Sequence, residues 1–198
     1  MLTVGVVLGV LGMMFVVYPL MVVLATRKNP FAVLAKIKEP ILTSFVTRSS
    51  AAALPVSLKT AHDELKIKDT LASFALPLGS TVNMDGVCVP LPMFAVLAAN
   101  MFGAQLSFTA LFVLVITTVL ASVGAGGVPG GSLMLLFIIL QNMNLGTGQI
   151  ALIVGLALGI NPILDMFETM NNVTGDLVCT YCVAEMTDMI EKDESSKG

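Results

Sequence analysis

Long apolar stretches broken by short polar or Gly/Pro-rich segments set the pattern of this chain. Residues 2–25 carry no charge and run to Thr26-Arg27-Lys28. At about 1.5 Å per residue they can cross roughly 30 Å of hydrocarbon, so a transmembrane helix is predicted over 1–26. No basic stretch precedes the run and no small-residue cleavage site follows it, which predicts a retained span and not a signal peptide. In 27–69 a short apolar arm, Pro40 to Val46, meets a polar tip, Thr47-Arg48-Ser49-Ser50, and a second arm returns from Ala51. Neither arm can span alone, and charge flanks both, so this is predicted to be a re-entrant hairpin entered from the cytoplasm. Residues 70–103 form the next apolar segment, interrupted by "PLGSTVNMDG", whose proline, glycines and polar side chains predict a broken helix. Two further arms, Ser107 to Leu120 and Ser132 to Leu140, are joined by "ASVGAGGVPGG" and predict a second hairpin over 104–146. A long polar transmembrane helix over 147–185, containing Pro162, and a charged cytoplasmic tail over 186–198 complete the chain.

The order hairpin, span, hairpin, span repeats one unit, and the second hairpin, with uncharged flanks, is predicted to enter from the external side. The fold class expected is therefore all-α integral membrane, an inverted repeat with two re-entrant hairpins and two long spans, the first discontinuous.

Composition agrees: 56% of residues are hydrophobic and 12% charged, outside the balance of a soluble domain. Every Lys and Arg falls in 27–68 or at Lys192 and Lys197, which places 27–68 and the C-terminus on the cytoplasmic side of a multi-pass protein. Between Thr70 and Ala184 the charged residues are Asp85, Asp165, Glu168 and Asp176, all acidic. Acids at bilayer depth without a base call for a cation from solution. Cys179 and Cys182 have CxxC spacing without a companion cluster, so a helix-face coincidence is expected before a redox or zinc role, and Cys88 adds nothing to it. His62 lies in a polar stretch and reads as a surface residue.

Asp165, Glu168, Asn172 and Asp176 are spaced three, four and four, which puts them on one helical face, with Thr169 and Thr174 close to it. That face must meet the protein interior or a wet cavity; helix-helix hydrogen bonding is the plainer alternative. The broken helix can offer carbonyls of Gly79, Thr81, Val82 and Met84 beside the side chains of Asn83 and Asp85, an oxygen-rich cage for a hard cation. The alternative is that Asn83 and Asp85 patch orphan backbone groups at a kink. At the tips, Ser49 and Ser50, and the loop from Gly126 to Gly131 with Val128 and Gly130, offer N–H groups suited to a carboxylate, or form plain turns.

"TRSSAAALP", "NMDG", "GGVPGG" and "LDMFETMNNVTGD", in that order and spacing, resemble the glutamate transporter family, the dicarboxylate/amino acid:cation symporters. The resemblance runs over essentially the whole chain and matches only the C-terminal half of that family's fold. It implies a sodium-coupled elevator in the cell membrane, whose transport domain moves against scaffold spans that have no counterpart here, and a homotrimer when complete. Na+ is then the co-transported ion, no organic cofactor is implied, and the partners are a small amino acid or dicarboxylate and membrane lipid, with no nucleic acid. By the same resemblance, Ser50, Asp165 and Asn172 match substrate-binding positions. Gly79, Asn83, Asn172 and Asp176 match one sodium site, Asp85 with Asn83 a second, and carbonyls around Thr81, Met84 and Ser122 a third. Arg48 fits an arginine carried in the first tip by prokaryotic members.

Two positions depart from the pattern for acidic substrates. Glu168 stands where arginine is usual and Val87 where threonine is usual, so a neutral polar or amine-bearing amino acid is expected in preference to glutamate. A pairing of Arg48 with Glu168 or Asp165 would leave a dicarboxylate open. Two other readings stand beside this one. A truncated or split transporter half would bind without transporting alone. An intramembrane aspartyl protease would need Asp85 and Asp176 to share a proton.

Overall fold

The computed structural model describes residues 1–143 and 145–191, and among these the chain is helical apart from one isolated bridge. The first apolar run forms α1 (Leu2–Gly12), a π-helical turn (Met13–Val17) and α2 (Tyr18–Thr26). The sequence predicts an unbroken helix there. Pro19 has no N–H for the carbonyl one turn back, and the wider turn sits where that bond is lost. Asn29 caps α3 (Pro30–Lys36), accepting from the Phe31 N–H at 3.0 Å.

The two hairpins are pairs of short helices. The first is α4 (Lys38–Thr47) and α5 (Ser50–Asp63), with Arg48 left-handed at φ 54° and Ser49 capping α5. The broken segment is α6 (Asp69–Val82) and α7 (Pro90–Phe102); the break predicted at 77–86 falls at 83–89, because α6 continues through Pro77 and Gly79. The second hairpin is α8 (Phe108–Ser122) and α9 (Gly131–Gln141). Helix α8, at 15 residues, is about 22 Å long and too short to cross by itself. Helix α10 (Thr147–Met186) runs 40 residues without interruption, through Pro162. Two helical stretches are long and apolar enough to cross a membrane, Leu2–Thr26 and Thr147–Met186.

Helix α10 is the axis on which α2, α4, α6 and α9 pack. One apolar cluster joins α1, α7 and α9 to the first half of α10 through Val6, Leu91, Ile139 and Ile153. A second joins α2, α5 and α6 to its far half through Val22, Ala61, Leu76 and Leu177. The polar run 165–176 of α10 lies where the two clusters meet. Outside these cores Leu8, Phe15, Leu24, Phe112, Leu120 and Met134 stand exposed, an apolar outer surface suited to lipid or to further spans.

Helices α1 and α7 approach closely through Gly5 and Gly9, where an added Cβ would lie 2.6 Å from Met93 Cε and 2.7 Å from Val89 Cγ1. Gly9→Leu is expected to force α1 off α7 and destabilise the fold by about 1–3 kcal/mol. Thermal unfolding in detergent measures this, and an unchanged midpoint would show that α1 docks elsewhere.

The tail does not leave the fold where α10 ends. Met189 accepts from the Lys68 N–H at 2.9 Å, the Glu191 N–H donates to Lys66 O at 2.7 Å, and Ile67 pairs with Ile190. Ile67 is fully buried there, which gives these strand-like backbones an apolar reason to meet. The rest of the predicted tail, 192–198, lies outside the described residues. Lys28 Nζ reaches Glu185 Oε1 at 2.6 Å, so the charges of 27–28, 66–68 and 185–191 gather at one end. His62 is exposed and bonded to Asp63 at 2.8 Å, a contact that raises its proton affinity.

Candidate functional site

The break in the α6–α7 segment lays residues 83–87 against the polar face of α10. Asn83 Nδ2 donates to Asp176 Oδ1 at 3.0 Å. The Gly86 N–H donates to Asn172 Oδ1 at 2.7 Å, and Asn172 Nδ2 faces Met84 Sδ at 3.2 Å. Glycine is required at 86 because a Cβ would fall 2.2 Å from the Glu168 carbonyl oxygen. Gly79 serves the same end for Asp176, whose Oδ1 would stand 2.5 Å from an added Cβ.

Both hairpin tips arrive at this layer. Ser49 Oγ accepts from the Ala52 N–H at 3.2 Å and donates to Gly127 O at 2.8 Å, and the Ala51 N–H donates to the same carbonyl at 3.3 Å. Gly130, at φ 80°, donates its N–H to Asp165 Oδ2 at 3.1 Å. Between the tips and α10 remains a cavity of about 10 Å³, lined by Arg48, Ser50, Val87, Asp165, Glu168 and Asn172 among others. That is room for about one water, so a larger solute enters only if a tip moves. Ser50, Asp165, Glu168, Thr169 and Asn172 are buried, while Val128 is exposed at the rim.

The carboxylates are supplied unevenly. Asp165 has the Gly130 N–H and Asp176 the Asn83 amide, whereas Glu168, 2% exposed, keeps Oε2 without any hydrogen-bond partner. Arg48 lines the cavity but forms no ion pair within 4 Å among the described residues, so the proposed pairing with Glu168 or Asp165 is not made. Asp85 accepts from Tyr18 Oη at 2.5 Å and from Asn171 Nδ2 at 3.3 Å. Asp85 and Asp176 therefore each have their own neutral donors.

Some expected site residues are not brought together by hydrogen bonds. The Gly79 carbonyl accepts from the Asn83 N–H at 2.8 Å and the Met84 carbonyl from the Val87 N–H at 3.2 Å, so neither is left free by the break. The Gly79 carbonyl retains a second lone pair, while the Met84 carbonyl also takes a weak bond from Cys88 Sγ at 3.7 Å. The Ser122 carbonyl accepts from the Ala125 N–H at 3.0 Å, while the Thr81 and Ser122 hydroxyls bond to Leu78 O and Val119 O within their own helices. Tyr18 and Asn171 are two functional candidates that the pattern of the sequence does not single out. Their signals were a lone phenol in an uncharged span and an amide one step off the acidic stripe. The cysteines are free, Cys179 exposed and Cys182 buried, and no His/Cys/Asp/Glu cluster suited to a metal ion occurs among the described residues.

Residues 1–186 match the family model described as the sodium:dicarboxylate symporter family. The chain belongs to that family. It is 34% identical over 176 residues to excitatory amino acid transporter 1 of Homo sapiens, covering 89% of this chain and 32% of the relative. It is 32% identical over 193 residues to the putative sodium-dependent excitatory amino acid transporter glt-4 of Caenorhabditis elegans, covering 98% and 37%. Against neutral amino acid transporter B(0) of Mus musculus the identity is 38% over 160 residues, covering 81% and 28%. The chain thus spans about a third of the length of the curated relatives it matches. The family and these relatives are transporters, not enzymes, and that removes the ground for an intramembrane protease.

Proposed function

We propose that this chain is the ion- and substrate-binding part of a sodium-coupled amino acid symporter of the elevator kind, at the cell membrane. The observation that carries this is the meeting of the broken segment, both hairpin tips and the acidic face of α10 in one buried layer whose carboxylates, among the described residues, form no ion pair within 4 Å, even with Arg48 at the cavity wall. A cation from solution is the partner such a layer lacks. Asn172, Asp176, Asn83 and the Gly79 carbonyl take one sodium, Asp85 and Asn83 a second, and carbonyls near Thr81, Met84 and Ser122 a third. Ser49, Ser50, Val128, Gly130, Asp165, Glu168, Thr169 and Asn172 surround the substrate. The residues present suit the ion, because the carboxylates of Asp85 and Asp176 and the amides of Asn83 and Asn172 are hard oxygen ligands gathered in one layer.

In this reading 27–69 and 104–146 are re-entrant hairpins, 1–26, 70–103 and 147–185 are spans, and the C-terminus is cytoplasmic. The gathering of charge from 27–28, 66–68 and 185–191 at one end supports that orientation. The scaffold and a trimeric assembly come from spans outside this chain. Glu168 in the cavity favours a neutral polar or amine-bearing amino acid over glutamate.

A second reading is that the described residues bind without transporting alone. Sodium-dependent binding to the isolated chain, lost in Asp176→Ala, is the expected result for both. Uptake into vesicles by this chain alone, compared with the chain joined to a scaffold half, separates them. Binding that ignores sodium would end the symporter proposal.

A further inference from the structure

The Asp85 carboxylate is held by groups outside the set just assigned. Tyr18, 1% exposed, points its hydroxyl at two acceptors, Asp85 Oδ2 at 2.5 Å and the Asn171 carbonyl at 3.0 Å. It has one proton to give. Asn171 donates Nδ2 to Asp85 Oδ1, and the Oδ1 of the same fully buried amide has no partner. Beneath them Gly175 leaves α10 bare: a Cβ there would lie 2.8 Å from Asp85 Oδ2, 2.9 Å from Tyr18 Oη and 3.0 Å from Asn83 Nδ2. A carboxylate and a phenol oxygen therefore meet over the bare Gly175 of α10, and the orphan amide oxygen belongs to the side chain that donates to that carboxylate.

We infer that Tyr18 is a swinging ligand of an alkali-cation site at Asp85, completed by Asn171 Oδ1. Without the ion, the phenol proton serves Asp85 Oδ2. When the ion takes the carboxylate, the hydroxyl turns its proton to the Asn171 carbonyl, already within reach, and presents its lone pair to the ion. The amide oxygen left unpartnered becomes a further ligand. Hard cations take oxygens from carboxylates and amides together, and the phenol adds one from a separate helix. The inference rests on the sodium reading above and adds two residues to it. It also couples α2 to ion occupancy, because Tyr18 follows the π turn directly.

The chain has no tryptophan and two tyrosines, so Tyr181→Phe leaves Tyr18 as the sole emitter. A phenol bonded to a carboxylate is quenched, because the carboxylate accepts its proton in the excited state, and emission returns when that bond is lost. The Tyr181→Phe chain in detergent is titrated with sodium chloride against choline chloride, with emission and a calorimetric isotherm read together. Emission is expected to rise over the same sodium range as the isotherm, and Asp85→Asn to abolish the rise. Tyr18→Phe in the otherwise unchanged chain should weaken sodium binding about tenfold, as expected for one lost ligand to a charge, and should lower the unfolding midpoint in choline because Asp85 Oδ2 loses its donor. A normal isotherm with flat emission, or normal sodium affinity in Tyr18→Phe, overturns the inference and leaves the proposed function standing. Absence of any sodium isotherm overturns both.

Discussion

Gly86→Ala is expected to abolish sodium-dependent amino acid binding and to lower stability by about 3 kcal/mol, the upper range of an overpacked interior. The added methyl would sit 2.2 Å from the Glu168 carbonyl oxygen and 2.9 Å from Asn172 Oδ1. The first obstacle is helix backbone and cannot rotate away. The break must therefore retreat from α10, and the 2.7 Å bond from the Gly86 N–H to Asn172 is lost with it. Asn83 and Asp85 belong to the same short turn, so their contacts with Asp176 and Asn171 loosen together. Gly155→Ala is the control, since nothing lies within 4 Å of a Cβ there and alanine favours a helix by about 1 kcal/mol. Thermal unfolding and isothermal binding on both variants decide the matter. A Gly86→Ala chain that binds like the parent would show that the close approach serves neither packing nor binding.

Glu168→Arg is expected to reverse substrate preference toward dicarboxylates by about a hundredfold, measured as the ratio of aspartate to serine competition. In the parent chain a distal carboxylate entering the cavity meets Glu168 and Asp165, and like charges brought together in a buried site cost several kcal/mol. An arginine removes one repulsion and adds a two-pronged donor. About 3 kcal/mol corresponds to roughly two powers of ten. Arg48 is common to both proteins and makes no ion pair with either acid among the described residues, so it does not cancel the change. Equal aspartate competition in parent and variant would defeat the selectivity argument while leaving the ion sites untouched. Because the cavity holds about one water, the variant's solute-free stability needs measuring beside its competition curve.

Much of the site could be read along the chain because its largest part is local. Asp165, Glu168, Asn172 and Asp176 share a face by helical spacing alone, and α10 runs through all of them. The break at 83–89 follows from a dense run of residues poor at continuing a helix, and the tips follow from Ser-rich and Gly-rich segments between apolar arms. The contributions of Tyr18 and Asn171 were not legible in the same way. Tyr18 is 67 residues from Asp85 in sequence, and no periodicity within either segment relates them. Asn171 looks like the neighbour of a stripe residue until the broken segment is seen to approach α10 from two sides, Asn172 facing Gly86 and Asn171 facing Asp85. The carbonyls of Gly79 and Met84, expected to be free of N–H partners, each accept one, because a broken helix re-pairs its backbone at the break.

By itself the order of residues determined the helical elements, their breaks and the acidic stripe, because hydrophobic periodicity, helix breakers and charge act over a turn or two of chain. Only the tertiary structure decided which donor serves which carboxylate, that among the described residues Glu168 alone of the four acids keeps a fully buried oxygen without a partner, and that Ile190 returns to Ile67. Those outcomes depend on distances between helices, and such distances are set by how closely backbones can approach at Gly9, Gly79, Gly86 and Gly175.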